Sequence, residues 1–166
     1  MIEPERWVSI RPIERTDASA LSDFYAGLSP ESRRRRFLSA STAPMVWALV
    51  EAEGLVGVLR EPGPNDGAIV AHASIQPDGI GGGEVAFAVA DSMQGHGVGR
   101  QLVQRTLARA RTFGLMRVDA TLLADNAPMR HLLRESGAHV AKDELDAGVE
   151  ELALDLTTPA LASVGD

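Results

Sequence analysis

The chain contains no cysteine among its 166 residues. Disulfide bonds, thiolate zinc sites and cysteine nucleophiles are therefore excluded. Long apolar runs are also missing, since none approaches the roughly 20 residues that a membrane-spanning helix needs. Residues 1–7 carry acids and a proline, whereas a secretory leader carries a basic segment followed by an apolar one. We therefore expect a cytoplasmic protein that does not enter the membrane.

Positively charged residues are fewer than negatively charged ones. The chain has 16 Lys and Arg residues against 23 Asp and Glu, and its formal net charge is -7 at pH 7. Nucleic-acid-binding domains usually present a basic face, so we expect no nucleic acid as a partner. A basic substrate would be favoured by the acidic surface.

The order of the predicted elements indicates an α+β (mixed α/β) fold. We predict strands over residues 8–12, 55–60, 68–76, 84–90, 116–124, 139–142 and 150–156. We predict helices over residues 18–27, 43–53, 98–113 and 127–135, and a short helix that begins at residue 30. Hairpins followed by alternating strands and helices favour a central mixed, mostly antiparallel sheet of about six or seven strands flanked by helices. We expect a single domain over residues 1–157 and a disordered tail over 158–166.

The most informative stretch is the glycine-rich segment 93–100, which lies between an apolar strand and a long amphipathic helix. It contains Gly95, Gly97 and Gly99. Such a turn presents several backbone N–H groups and the positive end of the helix dipole to one small volume. Glycine suits it because a Cβ would hinder close approach and because some residues there need positive φ. The segment therefore predicts a phosphate-binding turn.

Two common nucleotide motifs fit this turn poorly. A dinucleotide fingerprint needs a third glycine where Arg100 stands, and it follows the first strand of its fold. A Walker loop needs Gly-Lys-Ser/Thr, and Gly99-Arg100-Gln101 does not supply it. A nucleotide-dependent oxidoreductase thus stays a remote alternative.

The segment from Gln94 to Gly99 resembles the Gln/Arg-x-x-Gly-x-Gly/Ala signature of the GNAT family of N-acetyltransferases. The segment that begins Asn126-Ala127-Pro128-Met129 is similar to the next motif of that family, at the expected separation. Residues 11–12, 27–33 and 84–87 are similar to the bacterial protein-lysine acetyltransferases of the Pat type. The resemblance covers residues 8–156 and implies a GNAT-like fold.

The resemblance also implies acetyl-CoA as the co-substrate. Its pyrophosphate would be held by N–H groups of residues 95–100, and its pantetheine arm would lie beside the strand over 84–90. The N–H of Val89, where strands of the family bulge and separate, would stabilise the thioester oxygen. The implied cofactor-binding residues are Val89, Gln94, Gly95, His96, Gly97, Val98, Gly99, Arg100, Asn126 and Met129.

An amine acceptor also needs a base. An amine with a pKa of about 10.4 is protonated at neutral pH, so a proton must be removed before it attacks. Glu84 opens the central strand at the position where Pat-type enzymes keep their catalytic glutamate, although an exposed acid at a strand start is an equally ordinary explanation. Asp119 is the reserve candidate. Without cysteine, direct attack in a ternary complex is simpler than a ping-pong route.

One departure from the family leaves a second function open. Many members place a tyrosine where this chain has Leu133, and the single tyrosine of the chain is Tyr25. A non-catalytic acyl-CoA-binding sensor or regulatory module is therefore the alternative to an N-acetyltransferase. For the enzyme, the acceptor would be a protein lysine or a small amine such as a polyamine, amino acid or antibiotic. We expect the protein to be a monomer or a homodimer.

The remaining polar residues have structural interpretations. His72, His131 and His139 lack metal-ligand spacing, so we expect no metal. We predict that Asn126 caps a helix and that the His96 ring faces solvent. The run of arginines over 33–36 is predicted to be a solvated helix end, because consecutive helical residues point in different directions. One of these arginines would still be able to reach an acidic substrate or the 3'-phosphate of the nucleotide.

Overall fold

The computed structural model describes residues 7–38 and 46–157. Its strands are β1 (Val8–Pro12), β2 (Glu53–Leu59), β3 (Ile69–Pro77), β4 (Gly82–Val89), β5 (Arg117–Leu123), β6 (His139–Asp146) and β7 (Val149–Asp155). Its helices are α1 (Ala18–Gly27), α2 (Pro30–Phe37), α3 (Val46–Glu51), α4 (Val98–Thr112) and α5 (Ala127–Arg134), with 3-10 turns at Arg15–Asp17 and Asp91–Met93. Residues 43–45 of the predicted third helix and the predicted tail lie outside the described residues.

All seven strands form one sheet in the order β1-β2-β3-β4-β5-β7-β6. Every neighbouring pair is antiparallel except β4 and β5, which run parallel. The prediction of a mixed, mostly antiparallel sheet flanked by helices is confirmed. The strand predicted to be central, β4, is the fourth of the seven.

The sheet is covered on both faces near β4. Val103, Leu107 and Ala110 of α4 recur every three to four residues with Leu102 beside them, and the helix buries all four against one face. Ala88 of β4 packs with residues of α1 on the other face. Alternate residues of a strand point to opposite faces, so Glu84, which is exposed, shares the α1 side of the sheet with Ala88.

Strands β4 and β5 pair over only three positions, from Gly82 opposite Arg117 to Glu84 opposite Asp119. Both strands continue beyond this point, β4 to Val89 and β5 to Leu123. They therefore separate after Glu84 and leave a gap in the middle of the sheet. This gap positions the site described below.

The bulge that the family resemblance implied at Val89 is wrong. The register between β3 and β4 is continuous from Gly83 to Val89. The irregularity lies instead between β2 and β3, where Gly57 is opposite Ala71 and Val58 is opposite Ile69, so that Val70 of β3 has no opposite residue. Gly57 suits it because an added Cβ would lie 3.0 Å from Ala71 Cβ and 3.1 Å from a Val8 methyl.

The last hairpin is longer than the sequence pattern predicted. Strand β6 extends to Asp146, four residues past the predicted end, and β7 starts at Val149. Ala147 and Gly148 make the turn with φ of 48° and 82°. Positive φ at both residues is typical of a type I′ turn, which suits a two-residue hairpin. The sequence signal is weak because alanine stands where asparagine or glycine is usual.

Candidate functional site

The gap between β4 and β5 opens into a cleft of about 460 Å³. Residues from four segments line it: α2, the end of β4, the glycine-rich turn with the start of α4, and α5 with the residue before it. They are Ser32, Arg35, Arg36, Phe87, Ala88, Val89, Gln94, Gly95, Gly97, Gly99, Arg100, Asn126, Pro128, Met129, His131 and Leu132. Of the α2 residues, the sequence indicated only that one of the arginines over 33–36 would be able to reach an acidic substrate or the 3'-phosphate of the nucleotide, without selecting a particular arginine.

The glycine-rich turn has the geometry of an anion site. Gly95 and Gly97 adopt φ of 77° and 83°, which glycine accepts without a steric penalty. The first hydrogen bond within α4 runs from Gln101 N to Gly97 O at 3.2 Å. The N–H groups of Val98, Gly99 and Arg100 therefore precede the helical ladder and lie at its positive end. The turn fits a phosphate or pyrophosphate group.

The N–H of Val89 faces the gap. Ala90 N donates to Val70 O at 2.8 Å, and hydrogen-bonded pairs alternate along an antiparallel ladder. The backbone polar groups of Phe87 and Val89 thus point away from β3 and toward β5. Gln94 Nε2 donates to Val89 O at 3.1 Å, which agrees with this direction. Two N–H donors, at Phe87 and Val89, are therefore directed into the gap.

Helix α5 supplies the opposite wall. Asn126 Oδ1 accepts a hydrogen bond from Met129 N at 3.4 Å, and this N-cap confirms the predicted role of Asn126. The cap fixes the direction of α5, so that Met129 and Leu132 present apolar surface to the cleft. A cleft with backbone donors at one end and apolar walls beside a strand fits a pyrophosphate joined to a pantetheine arm.

Most of the predicted cofactor-binding residues line this one cleft. Two do not contribute side chains to it: His96 is exposed and borders a separate cavity with Trp7 and Met93, and Val98 is 3% exposed in the core. The others come together: Val89, Gln94, Gly95, Gly97, Gly99, Arg100, Asn126 and Met129.

Glu84 lies at the closed end of the gap and not in the cleft itself. It borders a second cavity of about 490 Å³ with Arg117, Asp119, Lys142 and Glu151. At about 3.3 Å per strand residue, Glu84 Cα is roughly 10 Å from Phe87 Cα and roughly 17 Å from Val89 Cα. Glu84 is exposed, whereas the reserve candidate Asp119 is 3.3 Å from Arg117 Nε.

Helix α2 crosses the cleft and is held at both sides. On the β4 side, Asp91 accepts from Ser29 N at 3.0 Å and from the hydroxyls of Ser29 and Ser32 at 2.8 Å each. Burial raises the pKa of Asp91, but these hydrogen bonds outweigh it and the net pKa is lowered. Gln94 Nε2 also lies 3.3 Å from Ser32 Oγ.

On the β5 side, Asp125 accepts from Arg34 Nη2 at 2.6 Å and lies 4.0 Å from Arg35 Nε. The hydrogen bond from Arg34 lowers the pKa of Asp125. The prediction that the arginine run is a solvated helix end is therefore wrong. Its members are half-buried, and Arg35 and Arg36 line the cleft, because α2 lies across the gap between the separated strands.

A buried polar pair lies behind α2. Tyr25 Oη is 2.6 Å from His72 Nδ1, and the two side chains are 2% and 0% exposed. Burial, and secondly the charge of Arg36, lower the pKa of His72 to about 3. Burial raises the pKa of Tyr25. Both groups are thus neutral at pH 7, so the Tyr25 hydroxyl donates to an unprotonated His72 nitrogen.

The residue in the usual tyrosine position, Leu133, is fully buried in the core. Tyr25 is not among the cleft-lining residues. No tyrosine hydroxyl therefore lines the cleft, and Tyr25 is the only tyrosine of the chain. Within the described part of the chain, no group of three His, Asp or Glu side chains is arranged to hold a metal ion, and no helix is long and apolar enough to cross a membrane.

A profile described as the acetyltransferase (GNAT) family matches residues 15–138, which is more than half of the chain. The glycine-rich turn, the separated strands and this match agree: the chain belongs to the acetyltransferase (GNAT) family. It is 29% identical over 153 residues to the acetyltransferase Pat of Mycolicibacterium smegmatis. That match covers 88% of this chain but only 45% of the relative.

Solved structures show the same fold. The GNAT domain of PAT from S. lividans superposes with a TM-score of 0.74 at 27% identity, covering 89% of this chain and 90% of that chain. The protein yncA from Salmonella typhimurium, whose structure holds its cofactor acetyl-CoA, superposes with a TM-score of 0.70 at 21% identity. That match covers 95% of this chain and 99% of the other.

Proposed function

We propose that this chain transfers the acetyl group of acetyl-CoA to a primary amine by direct attack in a ternary complex, and that the amine is a lysine side chain. The observation that carries the proposal is the gap between β4 and β5. It joins an anion-binding turn at one end to a carboxylate-bearing cavity at the other. The similarity to two Pat proteins supports a lysine acceptor over a small amine.

The donor is held mainly by backbone groups. The N–H groups at the start of α4 bind the pyrophosphate, and the pantetheine arm lies between β4 and the apolar side chains of α5. The thioester carbonyl accepts a hydrogen bond from the N–H of Val89 or of Phe87, since both point into the gap. The N–H of Phe87 lies nearer to Glu84, which favours it as the donor at the reacting carbon.

The acceptor enters over the exposed face of β5, β6 and β7. Glu84, Asp119 and Glu151 border the second cavity together with Arg117 and Lys142. The three carboxylates outnumber the two cations, which favours a cationic amine. Glu84 removes a proton from the ammonium, directly or through water. The amine nitrogen then forms a bond to the thioester carbon and releases its second proton to water, while the carbon–sulfur bond breaks and the electron pair leaves on the CoA sulfur.

A second function is favoured by one observation. The usual tyrosine position holds Leu133, which is buried in the core, so the usual tyrosine hydroxyl is missing. This suits a non-catalytic acyl-CoA sensor. Such a protein would bind acetyl-CoA and release no CoA in the presence of any amine.

The experiment measures CoA release with a thiol reagent, which is free of background because the chain has no cysteine. Lysine-containing peptides, polyamines and amino acids are offered as acceptors. We expect CoA release with lysine peptides, loss of turnover in Glu84→Gln with an unchanged CoA Kd, and normal turnover in the control Glu61→Gln. Asp119→Asn tests the reserve base. Full activity in Glu84→Gln would exclude Glu84, and no turnover with any amine would favour the sensor.

A further inference from the structure

Arg36 differs from Arg34 and Arg35 in having no carboxylate partner within the described part of the chain. Arg34 is 2.6 Å from Asp125, and Arg35 is 2.9 Å from Glu31. Among residues 7–38 and 46–157, no carboxylate lies within salt-bridge distance of Arg36. Arg36 nevertheless lines the cleft, so its positive charge is available to a ligand there.

The guanidinium of Arg36 is held by neutral groups. Its Nη2 donates to Ser74 Oγ at 3.0 Å, and its charge acts on the buried Tyr25 and His72. The hydrogen bond between Tyr25 and His72 is part of the same buried surface behind α2. These contacts orient the guanidinium without cancelling its charge.

Arg36 lies beside the part of β4 where the proposed acetyl transfer takes place. Its partner Ser74 is opposite Ala86 in the β3–β4 register, and Ala86 lies two residues from Glu84 on the same face of the sheet. Along the strand direction, the guanidinium is therefore level with Ala86, between Glu84, the proposed base, and the N–H donors of Phe87 and Val89. This is also where β4 and β5 begin to separate.

We propose that Arg36 supplies the positive charge that stabilises the CoA thiolate as the carbon–sulfur bond breaks. The inference rests on the proposed acetyl transfer. After Glu84 has taken the first proton from the ammonium, the amine nitrogen bonds to the carbonyl carbon and releases its second proton to water, and the sulfur leaves with the electron pair. A fixed cation beside the sulfur stabilises this charge and takes the place of proton donation by a tyrosine.

The decisive measurement is the pKa of the CoA thiol bound to the protein. CoA is titrated with pH in the complex, and the ultraviolet absorbance of the thiolate is followed. No protein thiol interferes, because the chain has no cysteine. We expect the bound thiol to titrate below the reference value of about 8.5 in the wild type. The midpoint should rise by about one unit or more in Arg36→Gln and less in Arg36→Lys, which keeps the charge.

Arg33→Gln is the matched control, because Arg33 belongs to the same helix but does not line the cleft. It makes the same change of charge and should leave the midpoint unchanged. In turnover assays, Arg36→Gln should lower kcat about 100-fold or more with little change in the KM for the amine. Thermal melting of each variant shows whether it is folded. Arg36→Lys replaces Arg36→Gln in these measurements if Arg36→Gln is not folded.

Three results would overturn the inference. Equal thiol midpoints in the wild type and Arg36→Gln would show that Arg36 does not act on the sulfur, while acetyl transfer itself would stand. A raised KM limited to acceptors that carry a carboxylate, with kcat unchanged, would assign Arg36 to acceptor binding instead. If the wild type does not bind CoA, the proposed function fails and this inference fails with it.

Discussion

Acidification to about pH 5 should destabilise the fold through the buried imidazole of His72. Its pKa is about 3 in the folded chain, because of burial and of the charge of Arg36, whereas an unfolded histidine has a pKa of about 6.5. Between these two values the unfolded chain binds a proton that the folded chain does not. The free energy of unfolding therefore rises with pH across this window and levels off above it.

The size of the effect follows from the two pKa values. At about pH 5 the solution is roughly 1.5 units below the unfolded pKa, and each unit is worth about 1.36 kcal/mol. His72 should thus remove about 2 kcal/mol of stability between about pH 7 and pH 5. For a chain of this length, this corresponds to a decrease of about 4–8 °C in Tm. Asp17, Asp91 and Asp125 have lowered pKa values, so their contribution to the free energy of unfolding is lost only in more acidic solution.

The assay is denaturant unfolding at several pH values in this range, compared with the variants His72→Gln and His139→Gln. His139 is exposed on β6 and serves as the control. The His72 variant should lose about 2 kcal/mol of the pH dependence, and the His139 variant should keep it. The reasoning is refuted if both variants follow the wild type, or if the His72 ring titrates near pH 6.5 in the NMR spectrum of the folded protein.

Two further substitutions test the turn and the core. Gly95→Ala meets no atom within 4 Å of the new Cβ, so its cost is the positive φ of 77° alone. We expect a loss of about 1–2 kcal/mol in stability and weaker CoA binding by calorimetry, and equal CoA affinity would contradict the assigned role of the turn. Leu102→Ala empties a fully buried position and should cost about 2–5 kcal/mol in denaturant unfolding, with a smaller loss showing that the core relaxes around it.

Features set by neighbouring residues were predictable from the sequence. Ser29 followed by Pro30 predicts the start of α2, and Ser29 does accept from Ser32 N at 3.1 Å. The glycine-rich turn was predictable for the same reason, since its conformation depends on the few residues that form it. The glycine at the end of α4, Gly114, likewise adopts positive φ where the helix was predicted to end.

Features that depend on distant residues were not predictable. Arg34 contacts Asp125 across 91 positions of sequence, and Ser29 contacts Asp91 across 62. Tyr25 and His72 are 47 positions apart. Helical periodicity alone places consecutive arginines around the helix axis, and only the fold shows which side faces the cleft. This is why the arginine run was assigned to a solvated helix end, and why the sequence did not show which of its arginines line the cleft.

The double attachment of α2 has a consequence for how the donor site tolerates mutation. Asp91 follows β4 and Asp125 comes soon after β5, so one short helix ties together the two strands whose separation creates the cleft. The width of the cleft thus depends on α2, which precedes both strands by dozens of residues in the sequence. Substitutions at Ser29 or Arg34, neither of which lines the cleft, should alter CoA affinity by changing how far the sheet opens.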